Sequence, residues 1–159
     1  MGSAPARPGS PGLSRLVVCR ASREDARDLA PFLRHEDAAE IDAATGQSPL
    51  EALLMGLGAS PGARSVHEVG RPIAMFGLVP GRSYDVPWLL GSDRILAHWR
   101  EFARRSREEL DRLRQGRPLR NYVDARNTVH VRWLRWLGAE ILPAAPWGLR
   151  QLPFHLFTL

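Results

Sequence analysis

Asn121-Tyr-Val-Asp-Ala-Arg-Asn-Thr-Val-His-Val-Arg-Trp-Leu-Arg-Trp-Leu-Gly138 decides how this chain is read. Leu119, Tyr122 and Val123 suit a strand, because aromatic and β-branched side chains pack well on a pleated surface. Asp124, Ala125 and Arg126 form a polar break. Asn127 stands where a helix N-cap belongs, since its side-chain oxygen can accept an orphan backbone N–H. Val129, Trp133 and the pair Trp136/Leu137 recur at helical spacing. Gly138 suits the left-handed residue that ends a helix. A strand that stops at an Asn-capped helix leaves two sets of backbone groups facing one gap, and such gaps hold ligands.

Outward from this stretch, Leu16–Cys19 reads as an apolar strand. Ser22 and Asp25 form a capping-box-like helix start, and the helix runs to about His35, burying Ala26, Leu29, Phe32 and Leu33. Pro31 divides or kinks it. Residues 36–46 read as a polar loop with a short helical turn. Ser48 and Pro49 open another helix, with Leu50, Leu53, Leu54 and Leu57 on one face and Gly58 or Gly62 as its end. Residues 65–69 and 72–79 form a hairpin about Gly70-Arg71, and residues 86–90 a further strand. Gly91-Ser92-Asp93 turns into one long helix from Arg94 to about Gln115, with Ile95, Trp99, Phe102, Leu110 and Leu113 as its apolar stripe. Strands near 139–142 and 154–159 complete the order β-α-α-β-β-β-α-β-α-β-β. The expected fold class is α/β, a single domain over residues 15–159 with a mixed twisted sheet flanked by helices. Residues 1–14, rich in Gly and Pro, read as a flexible arm.

The 159 residues suffice for one domain with a sizeable core. No apolar run is long enough for a membrane span, and the N-terminus lacks the apolar stretch of a signal peptide. A cytoplasmic location is therefore expected. The single cysteine, Cys19, permits no internal disulfide and reads as a buried, inert thiol. All 22 basic side chains are Arg. They are unevenly placed. Residues 24–51 hold eight acids and two Arg, whereas residues 94–135 hold twelve Arg and five acids. Arg100, Arg104, Arg107 and Arg114 fall on one helical face. They are candidates for docking an acidic patch, on another protein or on a second copy, with nucleic acid a weaker alternative. A solvated helix face explains the same pattern. The five histidines share no ligand spacing, so no metal site is expected.

The element order resembles the GNAT (Gcn5-related N-acetyltransferase) fold. Asn127 opening a helix that closes on Leu137-Gly138 is similar to a GNAT segment, and Gly70-Arg-Pro-Ile-Ala-Met-Phe-Gly77 to the GNAT hairpin. More narrowly, Pro87-Trp-Leu-Leu-Gly-Ser-Asp93, Asn121–Asn127 and Arg132–Gly138 together are similar to the internal virion protein A family of short-tailed phages, which serves in particle assembly or the internal core. The GNAT resemblance implies acetyl-CoA as cofactor if the protein is catalytic. It implies cofactor contacts at Leu90, Gly91 and Ser92, where the phosphate loop would lie, and at Asn127, which a plain cap-and-turn reading explains equally well. Glu40 is a candidate general base, with a solvated loop acid as the alternative.

Two departures weigh against catalysis. The loop at 90–94 keeps a single glycine, and Asp93 brings a negative charge to where two phosphates would lie. At a few ångströms that repulsion is on the order of 1–4 kcal/mol. Many GNAT enzymes place a Tyr general acid four residues before the glycine that ends the second helix; here that position is Leu134. The resemblance to the phage family implies a GNAT-like protein serving in virion assembly or the internal core, in a host cell or a particle and with other virion proteins as partners, its acetyl transfer weakened or lost. The alternative is an acetyl-CoA-dependent N-acetyltransferase acting on an amine.

Overall fold

The computed structural model describes residues 16–159, so the expected arm at 1–14 lies outside the described residues. The fold is mixed α/β with two antiparallel sheets. In the first, β1 (Leu16–Arg20), β2 (Arg64–Glu68), β3 (Arg71–Val79) and β4 (Val86–Gly91) are neighbours in that order. In the second, β8 (Leu152–Thr158) lies between β5 (Arg120–Asp124) and β6 (Glu140–Ile141), and β7 (Ala145–Trp147) also pairs with β8. The sheets meet at one parallel bridge between Asp85 and Leu119. There Asp85 N–H donates to Pro118 (3.0 Å) and Arg120 N–H to Asp85 (3.0 Å). Past the bridge the two strands part, and the Asn121 amide reaches across to the Pro87 carbonyl at 2.7 Å.

Helices cover the first sheet on both faces. On one, Ala26 and Leu29 of α1 (Arg23–Leu29) and Leu53 of α3 (Pro49–Ala59) pack on Met75. On the other, Ile95 of α4 (Arg94–Ala97) and Phe102 of α5 (Trp99–Arg114) pack on Ala74 and Phe76. Val131, Trp133, Leu134 and Leu137 of α6 (Thr128–Leu137) join Ala103, Leu110 and Val123 in a third cluster. Alternation along β3 splits its side chains between the two faces, as a two-residue period requires.

Several expected devices are present. Ser22 and Ser48 each form a full capping box, with Asp25 and Glu51. Asn127 caps α6, and Gly138 ends it at φ 96°. Pro31 divides the first helical segment, which finishes as a 3₁₀ turn, Ala30–Phe32.

Other expectations are corrected. Residues 36–46 are not a loop: α2 runs His35–Thr45 and ends at Gly46, φ 72°. The long helix is two, because His98 breaks it at φ −121°, ψ 24°. Its imidazole contacts the Glu68 carboxylate instead of continuing the apolar stripe. The hairpin turns at Val69-Gly70, both left-handed, and Arg71 already belongs to β3. The second leucine-rich helix stops at Ala59, beyond Gly58 and before Gly62. Phe32 is 68% exposed, since the 3₁₀ turn rotates it off the core. Cys19 is half-buried rather than buried, its Sγ 3.8 Å from the Ser65 carbonyl, and desolvation raises its thiol pKa. The strand β7 had no counterpart in the sequence reading.

Candidate active site

Between the parted strands β4 and β5 lies a cavity of about 510 Å³. Trp88 and Leu90 of β4, Tyr122 of β5, Leu134 of α6 and Met55 of α3 are among its walls. Tyr122 stacks on Trp147 with ring centroids 4.1 Å apart, and Trp147 meets Phe154 edge-on at 5.0 Å. Glu40 and His130 also line the cavity. Trp133 contributes a buried indole N–H with no partner among the described residues.

The polar end is built from both halves of the chain. Asp37 and Glu40 lie three residues apart on α2, so they share a face; Asn127 and His130 do the same at the start of α6. The Asn127 amide donates to Glu40 at 2.9 Å and Asp37 at 3.1 Å, and lies 3.2 Å from His130 Nδ1. Its oxygen accepts the His130 backbone N–H. One asparagine thus caps a helix and ties two carboxyls to it.

The three neighbouring acids differ in their partners. Asp37 accepts from Arg34 at 3.2 Å, and Asp124 is gripped by the Arg126 guanidinium, 2.6 Å at the shortest contact. Glu40 has no such guanidinium. Desolvation, with Asp37 and Asp124 nearby, pushes its carboxyl up to about 8 against the opposing pull of the Asn127 hydrogen bond. Burial pushes the His130 imidazole the other way, below its ordinary value, so it is held neutral. A carboxyl that titrates near 8 can take a proton from a neutral or mildly basic nucleophile.

The end of β4 is arranged differently. Gly91 N–H donates to Asp37 (3.0 Å), and Ser92 N–H and Oγ both donate to the Ile73 carbonyl (2.8 and 3.2 Å). Arg34 N–H donates to the Gly91 carbonyl at 2.8 Å, so residues 33–34 lie alongside this turn. A side chain at Gly91 would sit 2.0 Å from Ile95 Cδ1. The glycine therefore serves close packing of the α4 turn, and the two N–H groups are already committed. Asp93 occupies the N-cap position of α4 without a side-chain cap bond, and its nearest cation is Arg34 at 3.8 Å.

The same overall fold recurs in solved structures. This is the GNAT acetyltransferase fold. An N-acetyltransferase from Staphylococcus aureus Mu50 superposes with a TM-score of 0.67 at 13% identity, over 92% of this chain and 98% of that one. A GCN5-related N-acetyltransferase from Kribbella flavida gives 0.65 at 16%, over 91% and 97%. A Salmonella typhimurium protein described as an acetyltransferase, solved with its cofactor acetyl-CoA, gives 0.64 at 12%, over 92% and 94%. No family model matches the sequence, and no curated protein matches it. The phage-protein resemblance has no counterpart among these three structures.

Of the residues singled out from sequence, Glu40, Leu90 and Asn127 lie at the cavity or its polar end, whereas Gly91 and Ser92 are buried behind it. Arg100, Arg104, Arg107 and Arg114 lie on α5, away from this cluster. Glu40 sits on a helix, not in a loop. Asp37, His130 and Arg34 were not anticipated. The available signal was the repeated three-residue spacing, Asp37 to Glu40 and Asn127 to His130.

Proposed function

We propose that the protein is an N-acetyltransferase that takes acetyl-CoA as donor and an amine as acceptor, with Glu40 as general base. The observation that carries this is the wedge between β4 and β5, opening on an apolar cavity where one desolvated carboxyl faces His130 at 3.9 Å and has no guanidinium partner among the described residues. Bound acetyl-CoA would supply an acetyl thioester. The Trp133 side of the cavity would take the acetyl end, where the unpaired indole N–H is a donor of the kind an acyl oxygen accepts. The phosphate end fits less well, because the N–H groups of Gly91 and Ser92 are in use.

Glu40, once ionised, accepts a proton from the amine as its nitrogen becomes an amide. Asn127 holds the carboxylate in place and favours its charged form. The apolar walls exclude water from the reacting end. Leu134 has no proton to give, so the sulfur would leave as a thiolate and take its proton from solvent once the product departs. The activity should rise with pH and level off above about 8. The test is thiol release from acetyl-CoA with a panel of amines between pH 6 and 9.5. Glu40→Gln should lower the rate by about 10²–10⁴-fold. Release no faster than in buffer, with every amine, overturns the proposal.

A second reading has its own support. The committed N–H groups at 91–92 and the leucine at 134 suit a GNAT-like scaffold whose acetyl transfer is weakened or lost. On that reading, calorimetry shows no heat with sub-millimolar acetyl-CoA. A dissociation constant near 10 μM, roughly −7 kcal/mol, removes it in its non-catalytic form.

A further inference from the structure

We infer that the cavity between β4 and β5 binds a primary amine carried on an aromatic or similarly bulky apolar body, its ammonium seated on Glu40 and its body against Tyr122, Trp147 and Phe154. The inference rests on the acetyltransferase reading for its chemical context, but the binding it names stands on the cavity itself.

Three features carry it. The first is the inventory of charge. Arg34 compensates Asp37 and Arg126 compensates Asp124, from the start of α2 and the end of β5, while the only ring facing Glu40 from α6 is His130. Glu40 is the carboxyl of this group left for an external cation. A polyamine needs several free acids spaced along its length, and among the described residues this cavity offers one. The second is the wall. A stacked pair and an edge-on ring give an aromatic ligand both packing and a face for its ammonium. The third is the surface chemistry around that carboxyl. Ile41 and Ala44 beside it are apolar, so they give a bulky ligand body packing rather than hydrogen bonds.

Seating an ammonium favours ionised Glu40, so at pH 7 the carboxyl must lose its proton to solvent as the amine binds. Heat measured in two buffers of different ionisation enthalpy reports that proton directly. The probes are 2-phenylethylamine, the isosteric 2-phenylethanol, and spermidine, all without acetyl-CoA. In the wild type, phenylethylamine should bind at least about tenfold more tightly than either of the others, a gap of roughly 1.4 kcal/mol. Its binding should release close to one proton. Glu40→Gln should bring amine and alcohol within about twofold and abolish proton release. Should that variant fail to fold, the wild-type buffer comparison decides alone. No phenylethylamine binding at millimolar concentration, tighter spermidine binding, or heats independent of buffer would each overturn the inference. Amine binding without acetyl transfer refutes the proposed function and leaves this site standing; transfer to spermidine without phenylethylamine binding does the reverse.

Discussion

Glu40, the proposed general base, also carries a cost to the fold. Its folded pKa of about 8 lies above the ordinary 4.5, so folding favours the protonated form. The stability this contributes is complete below about 4.5 and is lost as pH rises through about 8. Each unit is worth about 1.4 kcal/mol, so full ionisation costs a few kcal/mol. Glu40→Gln keeps an acceptor for Asn127 and removes the charge. It should melt higher than wild type at pH 9, by roughly 5 °C or more, and close to it at pH 5; calorimetric scans at both values check this. The two tryptophans of α6 separate in the same way. Trp133 is 9% exposed, and its truncation to Ala should cost about 3–5 kcal/mol in urea unfolding. Trp136, expected from its spacing to hold the helix down, is 48% exposed and carries the Arg107 guanidinium 5.2 Å from its ring. Trp136→Ala should cost about 1 kcal/mol or less.

Elements were legible where one local signal governs them. The caps at Ser22, Ser48 and Asn127, the stops at Pro31 and Gly138, and the strands β1 to β5 follow from short patterns. The failures are elements whose order comes from distant partners. α2 buries Asp37, Ile41 and Ala43, too narrow an apolar stripe to stand out among its acids. What secures its C-terminus is the turn after β7: Leu149 and Arg150 N–H groups donate to the Ala44 and Ala43 carbonyls at 2.9 and 3.0 Å. These supply partners for carbonyls that a helix end leaves open. Gly148 makes the approach possible. Its φ is 78°, and a Cβ there would meet Ala43 O at 2.7 Å and Ala44 Cα at 2.8 Å. Gly148→Ala should therefore destabilise by about 2–3 kcal/mol in urea unfolding. The polar end of the site was unreadable for the same reason. Asp37 and Asn127 are 90 positions apart, and nothing local announces their hydrogen bond.

At the scale of the molecule, the uneven charge of the sequence becomes a difference between two faces. Acid-rich α1 packs on one side of the first sheet, and α5, bearing Arg100, Arg104 and Arg107, on the other. Arg104 and Arg114 are partly satisfied within α5, by Glu108 at 3.0 Å and Asp111 at 3.8 Å. Such exposed pairs hold weakly and leave the field of the face largely intact. Wild type should self-associate at low ionic strength and dissociate as salt screens beyond the ~10 Å range that applies near 0.1 M. Arg104→Glu with Arg107→Glu should remain monomeric throughout. Sedimentation across a salt series, with and without DNA, checks both expectations; a wild type monomeric at low salt and indifferent to DNA makes the face merely solvated. The clasp on α2 matters on another scale, that of time. Arg150 reaches Asp42 across 108 positions of sequence, and contacts so far apart form late. During synthesis, β1 to β4 and their helices are complete while the clasp and the Asn127 cap are still unmade. Until residues 127 and 148–150 follow, Glu40 stands on a helix that has neither its asparagine partner nor its C-terminal clasp.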